Sequence, residues 1–219
     1  MKIVVAIVLA FLAGLPTPRP TSQLPGPGYG VMPLGDSITE GYLSSDGTGY
    51  RGPLNTALAD RHPVWLGSLT DPTGLRHEGH SGWTADELAA QARGWVSAGV
   101  RPRYVLLMAG TNDINRGQDA AGAFSDLQHL VAEVHAGAPT AVVIVAKIPT
   151  IPERDATVQA FNATIAGLAT TGAPGGTRVV DMYTAVPAAM LADGLHPTNA
   201  GYAAMAQVWA AALPQVVTG

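Results

Sequence analysis

The sequence predicts an α/β domain in which a parallel sheet is covered by helices on both faces. Three observations carry this expectation. Short, nearly wholly apolar runs recur along the chain, segments of helical periodicity lie between them, and the polar residues suited to chemistry fall just after the runs. Strands buried on both faces read as continuous apolar runs, and parallel sheets are the usual setting for them. Alternation of strands with helices then requires right-handed crossovers, which place helices on both sides and the binding crevice at the carboxyl ends of the strands. A chain of 219 residues with 47% hydrophobic content can build one such domain around a substantial core, and no internal repeat or second domain is expected.

The elements follow in order. Met1-Lys2 is a short basic start, and Ile3–Leu12 is an unbroken apolar run too short to span a bilayer comfortably, which takes about 20 residues. Residues 1–14 are therefore expected to be a secretory signal peptide. Pro16, Pro18, Pro20, Pro25 and Pro27 sit among Thr, Ser and Gly, a density of proline that cannot support a strand ladder, so residues 15–28 read as an extended spacer. A single folded domain is expected over residues 29–219, secreted, with no stable membrane association after signal cleavage. Within it, Tyr29–Leu34, Pro63–Leu69, Tyr104–Ala109, Ala141–Ile148 and Arg178–Met182 read as strands. Thr84 with Glu87 forms a capping box that opens a helix ending near Gly99. Phe124, Leu127, Val131 and Val134 recur at helical spacing before Gly137, and Val158, Phe161, Ile165 and Leu168 repeat the pattern. Thr198 can cap a last helix that turns Met205, Val208 and Trp209 inward.

Composition narrows the function classes. The net charge of −4 and the absence of a basic surplus point away from nucleic acid. Without cysteine there is no disulfide, thiolate metal site or Cys nucleophile. Metal binding through His and carboxylates stays open on composition, with 6 His and 16 Asp plus Glu, although no metal site is singled out; the protein reads as a monomer.

Four polar clusters face the expected crevice. They are Gly35-Asp36-Ser37-Ile38-Thr39-Glu40 after the first strand, His80-Ser81-Gly82-Trp83 before the capped helix, Gly110-Thr111-Asn112-Asp113 after the third strand, and Asp193-Gly194-Leu195-His196-Pro197 before the last helix. Together they supply what acyl transfer needs. A serine hydroxyl is a weak nucleophile until a base takes its proton. An imidazole works best as that base when a carboxylate holds its other nitrogen. Asp193 and His196 lie within one turn of each other, so the carboxylate can hold Nδ1 while Nε2 stays free for Ser37. The backbone N–H groups of Ser37 and Gly82 and the amide of Asn112 are candidate oxyanion donors. The serine is not in a G-x-S-x-G elbow, so the usual α/β-hydrolase arrangement is not indicated.

In this order, Gly35-Asp36-Ser37, Gly82, Gly110-x-Asn112-Asp113 and Asp193-x-x-His196 resemble the four blocks of the SGNH (GDSL-type) hydrolases, from about Tyr29 to the end of the chain. The resemblance implies a three-layer α/β/α sandwich, flavodoxin-like, with five parallel strands in the order 2-1-3-4-5. It makes Ser37 the nucleophile, His196 the base, Asp193 its partner, and Ser37, Gly82 and Asn112 the oxyanion hole, with no cofactor. More narrowly, Gly35–Gly41, Gly49-Tyr50-Arg51-Gly52 and His77–Thr84 are similar to carbohydrate esterase family 3, which includes acetyl xylan esterases. That likeness implies removal of acetyl groups from an acylated small molecule or a polysaccharide such as xylan.

Other residues carry weaker expectations. Asp36, Tyr50, Arg51, His80 and Trp83 are candidates for contact with substrate, although Asp36 also suits a turn-stabilising role and His80 a structural one. Asp113 is expected to bond the loop backbone, and Trp95 and Trp209 to lie in the core. Connections after the strands are short apart from Leu43–Gly49, so an open, shallow site for a small acyl group is expected. Three rival readings stand beside this one. A thioesterase or lysophospholipase of the same fold shares the chemistry. A metal-dependent phosphoesterase would draw ligands from Asp36, His80, Asn112, Asp193 and His196. A catalytically silent carbohydrate-binding protein would have no need of Ser37, Asp193 and His196 together.

Overall fold

The computed structural model describes residues 29–99, 101–170 and 175–213; the expected signal segment and spacer lie outside the described residues. The strands are β1 (Tyr29–Gly35), β2 (Pro63–Trp65), β3 (Leu69–Thr70), β4 (Arg76–Gly79), β5 (Tyr104–Met108), β6 (Val142–Lys147) and β7 (Thr177–Asp181). The helices are α1 (Ser37–Glu40), α2 (Arg51–Ala57), α3 (Ala85–Ser97), α4 (Thr111–Asn115), α5 (Ala120–Gly137), α6 (Asp155–Ile165), α7 (Met182–Ala185) and α8 (Asn199–Ala212).

The sheet is parallel from β2 through β1, β5 and β6 to β7, and every residue of β1 and β5 is buried. Their unbroken apolar character is thus the mark of strands covered on both faces. On the helical side, α3 packs on α5 and α5 on α6, while α2 packs on α8. Thr84 caps α3 as a capping box, accepting from Glu87 N–H, while Asp119 and Thr198 cap α5 and α8 by their side chains alone, accepting from Gly122 and Gly201 N–H. Trp209 is fully buried against Tyr50, as expected of a core residue, whereas Trp95 is only partly covered.

The edge beyond β1 departs from expectation. The sheet has seven strands, in the order β3-β4-β1-β5-β6-β7 with β2 also beside β1. β2 pairs with Tyr29–Val31 and β4 with Leu34–Gly35, so two short strands share the place expected for one. The expected strand Pro63–Leu69 stops at Trp65 because Gly67 takes φ +152° and presses against His77, where a Cβ would stand 2.2 Å from the carbonyl oxygen. β3 then turns back antiparallel on β4. Arg76-His77-Glu78-Gly79 has no apolar pattern, yet His77 and Glu78 are buried, which is why this strand is silent in the sequence.

One buried ion pair ties this edge to the rest. Arg51, at the start of α2, has no exposed surface, and its Nη2 donates to Asp71 Oδ2 at 3.0 Å and to Gly47 O at 3.3 Å. Its Nη1 donates to Thr39 O in α1. Burial works against the Asp71 charge, but the Thr73 hydroxyl, the Leu75 N–H and Arg51 outweigh it and hold the carboxyl below its ordinary range. Removing one partner of such a pair strands a buried charge. Asp71→Ala is expected to lower stability by roughly 3–5 kcal/mol in urea unfolding, and a loss well under 1 kcal/mol would show that water reaches Arg51.

Candidate active site

The site forms where β1, β4 and β5 end and where the chain approaches α8. Ser37 leaves β1 in a sharp turn. The Asp36 carboxylate caps α1 by accepting from Ile38 N–H at 2.9 Å, and Gly41 and Tyr42 N–H both return to Ser37 O at 3.0 Å. These bonds fix the backbone on either side of the serine, so its side chain has little freedom to leave the cleft.

Ser37 Oγ lies 2.9 Å from His196 Nε2. His196 Nδ1 lies 2.8 Å from Asp193 Oδ2, while Asp193 Oδ1 accepts from the backbone N–H of His196 at 2.8 Å and of Leu195 at 3.0 Å. The carboxylate therefore folds its own turn and holds the ring with the same group. Ala192 N–H to His196 O and Thr198 N–H to Met190 O close this segment into a pinned loop before α8. Burial disfavours the Asp193 charge, but the His196 N–H, the imidazole and the Leu195 N–H outweigh it and hold the carboxyl below its ordinary range. An ionised Asp193 selects the tautomer with hydrogen on Nδ1, which leaves Nε2 as the acceptor for the Ser37 hydroxyl.

The opposite wall is built by the other two clusters. Gly82 has φ +81°, a conformation that favours glycine, and a Cβ there would meet only Arg116 Nη2, at 3.8 Å. Its carbonyl accepts from Arg116 Nη2 at 2.5 Å. In the first turn of α4, Asn112 Nδ2 donates to Trp83 O at 2.8 Å, which orients the amide while its second hydrogen remains for a ligand. Asp113 accepts from Ala85 N–H through both oxygens at 3.1 Å, a loop-backbone bond as expected, and burial raises its pKa.

Three expected substrate contacts are corrected here. Tyr50 and Arg51 have no exposed surface: the Tyr50 hydroxyl donates to Thr39 Oγ1 at 3.4 Å, and Arg51 is spent on the ion pair. Asp36 is buried and caps Ile38, the turn role rather than a substrate role. His80 packs in a cluster with Trp83 and Trp95, with its ring centroid 4.6 and 4.5 Å from theirs and theirs 6.0 Å from each other, and its Nε2 meets Glu78 Oε2 at 3.0 Å. Trp95 thus packs against the margin of the core while keeping part of its surface exposed, and the cluster backs the loop that carries Gly82. Trp83 keeps part of its surface exposed. Sequence reasoning passed over Tyr42, whose ring packs edge-on against His196 with centroids 4.7 Å apart, because nothing in its neighbours signals the contact. Among the described residues, no three His, Asp or Glu side chains converge into a metal-holding group, and the set named for a two-metal site is divided among the bonds above.

A model of the GDSL-like lipase/acylhydrolase family matches residues 34–204. Among solved structures, a carbohydrate esterase family 3 protein from Talaromyces cellulolyticus is 31% identical with a TM-score of 0.73, covering 84% of this chain and 95% of that one. A family 3 carbohydrate esterase from Clostridium thermocellum is 27% identical with a TM-score of 0.73, covering 83% and 93%. A multidomain esterase of Ruminococcus flavefaciens is 25% identical over 93% of this chain, which spans 31% of that protein's length.

Burial is the largest influence on Asp36 and pushes its pKa up from 3.8 to about 7; the Ile38 N–H works against the rise and the Asp113 charge adds to it. The folded state thus favours the protonated form, and the stability this group contributes is present in full below 3.8 and lost as pH rises to about 7. Asp36→Asn keeps a capping oxygen and removes the titration. Relative to this variant, the wild type is expected to lose stability between pH 4 and 7 in urea unfolding; a difference that stays constant over that window would contradict the assignment.

Proposed function

This chain belongs to the GDSL-like lipase/acylhydrolase family and is a carboxylic ester hydrolase of acetyl-esterase type, and we propose that it is secreted and removes acetyl groups from a polysaccharide such as xylan. The observation that carries the mechanism is the unbroken chain from Ser37 Oγ through His196 to Asp193, at 2.9 and 2.8 Å.

In this reading Ser37 Oγ attacks the ester carbonyl while His196 Nε2 takes its proton. Asp193 stays ionised, holds the Nδ1 hydrogen and stabilises the imidazolium. Charge gathers on the carbonyl oxygen, where the N–H groups of Ser37 and Gly82 and the free Asn112 amide hydrogen can receive it without reorganising. His196 returns the proton to the departing alcohol, leaving an acetyl-enzyme on Ser37. Water, activated by the same imidazole, then releases acetate and restores the serine. Support for the acetyl carrier comes from the likeness to family 3 carbohydrate esterases. Support for secretion is the basic and apolar start of the sequence.

Acetate release from acetylated xylan, run beside a short and a long p-nitrophenyl ester, tests the reading. The wild type is expected to deacetylate xylan and Ser37→Ala to lose that activity; cleavage of the long-chain ester in preference to xylan would transfer the substrate to lipids. Asn112→Ala is expected to lower kcat by roughly 10²–10³ with little change in KM. A change in KM alone would remove Asn112 from the oxyanion hole.

A further inference from the structure

A groove of about 440 Å³ is walled by Glu40, Tyr42 and Leu43 on one side and by Leu69, Thr70 and Pro72 on the other; Ser37 and His196 do not line it, and Tyr42, whose ring packs on His196, joins it to the catalytic pair. Among the described residues, the large hydrophobic side chains that stand exposed are Tyr42 at 51%, Leu43 at 47% and Leu69 at 38%, and all of them line it. Apolar surface gathered in one place rather than scattered marks a contact region.

Tyr42 is exposed and yet tightly held. Its N–H donates to Ser37 O at 3.0 Å, its carbonyl accepts from Tyr202 OH at 2.6 Å, and its ring packs on His196. The next residue, Leu43, takes φ +64°, a left-handed conformation rare for leucine and kept where surrounding structure enforces it. Ser44 completes the clamp, its Oγ donating to Gly41 O at 2.7 Å and accepting from Gly49 N–H at 3.0 Å.

The chemistry of the pair decides what the groove receives. His196 returns its proton to the departing alcohol oxygen, so the alcohol must lie on the imidazole's side of Ser37. Tyr42 is the surface beyond that imidazole. The acyl substituent leaves the carbonyl carbon in a different direction from the leaving oxygen, so the surface beyond the imidazole faces the alcohol part of the ester first. A pyranose ring suits it, because its axial C–H face can lie on an aromatic ring while its hydroxyls meet the Glu40 and Thr70 side chains at the rim.

We propose that Tyr42, with Leu43 and Leu69, forms the platform for the sugar ring that departs with the alcohol oxygen. This rests on the polysaccharide reading above. The test compares kcat/KM for an acetylated xylo-oligosaccharide and for ethyl acetate, whose alcohol is too small to reach the groove, in wild type, Tyr42→Phe, Tyr42→Ala and Leu69→Ser. The ratio of oligosaccharide to ethyl acetate is expected to fall roughly tenfold in Tyr42→Ala, mainly through KM for the oligosaccharide, and to be kept in Tyr42→Phe. Leu69→Ser, on the far wall, is expected to lower the same ratio through KM. An equal loss on both substrates in Tyr42→Ala with no change of ratio in Leu69→Ser would overturn the platform and leave Tyr42 as a prop for His196. A wild type that hydrolyses ethyl acetate and leaves the oligosaccharide untouched would overturn the polysaccharide reading and the platform with it.

Discussion

The buried guanidinium of Arg51 is the constraint on which the nucleophile side of the cleft depends. It bonds Thr39 in α1, Gly47 in the loop that carries Tyr42, and Asp71 in the turn between β3 and β4. Each of these segments is short and would be free to move alone; one charge that cannot be left unpaired holds them in register. The effect spreads to His77, whose pKa is lowered to about 4 by burial first and by Arg51 next. The imidazole is therefore neutral near pH 7, and its Nδ1 can accept from Gly79 N–H at 3.0 Å, at the end of β4.

The oxyanion side is organised by a second set of bonds that joins two loops distant in sequence. Asp113 bonds Ala85, Asn112 bonds Trp83, and Arg116 bonds Gly82, so α4 and the start of α3 are laced together. Behind them the His80 stack rests on Glu78, itself held by Ser68. Donors fixed in this way need not reorient when charge develops, which is the condition for strong electrostatic stabilisation. The parallel sheet delivers both networks to one edge, because β1, β4 and β5 run in the same direction and end there.

Legibility in the sequence followed how local the determining interactions are. β1, β5 and β6 were readable as apolar runs, and α3 and α8 by caps that bond within three residues. Asp193 and His196 were readable for the same reason, since one turn contains both. Ser37 needed the other blocks beside it to be distinguished from an ordinary turn serine. β4 was not readable, because His77 and Glu78 are polar types that are buried here: His77 accepts from Gly79 N–H, and Glu78 is held by Ser68 and His80. Tyr50 and Arg51 show the converse: residue types that suit substrate contact are buried because Asp71 and Trp209 are there to receive them. The position of Tyr42 over His196 spans most of the domain in sequence and left no local sign.

Both networks converge on Ser37, which in the proposed mechanism is the nucleophile that forms the acyl-enzyme. Labelling with an alkyl phosphonate ester, followed by peptide mapping by mass spectrometry, tests it most directly. Stoichiometric modification at Ser37, loss of esterase activity in step with labelling, and no label in Ser37→Ala are expected. Modification at another residue with activity lost in step, or ester hydrolysis that survives complete labelling of Ser37, would contradict it.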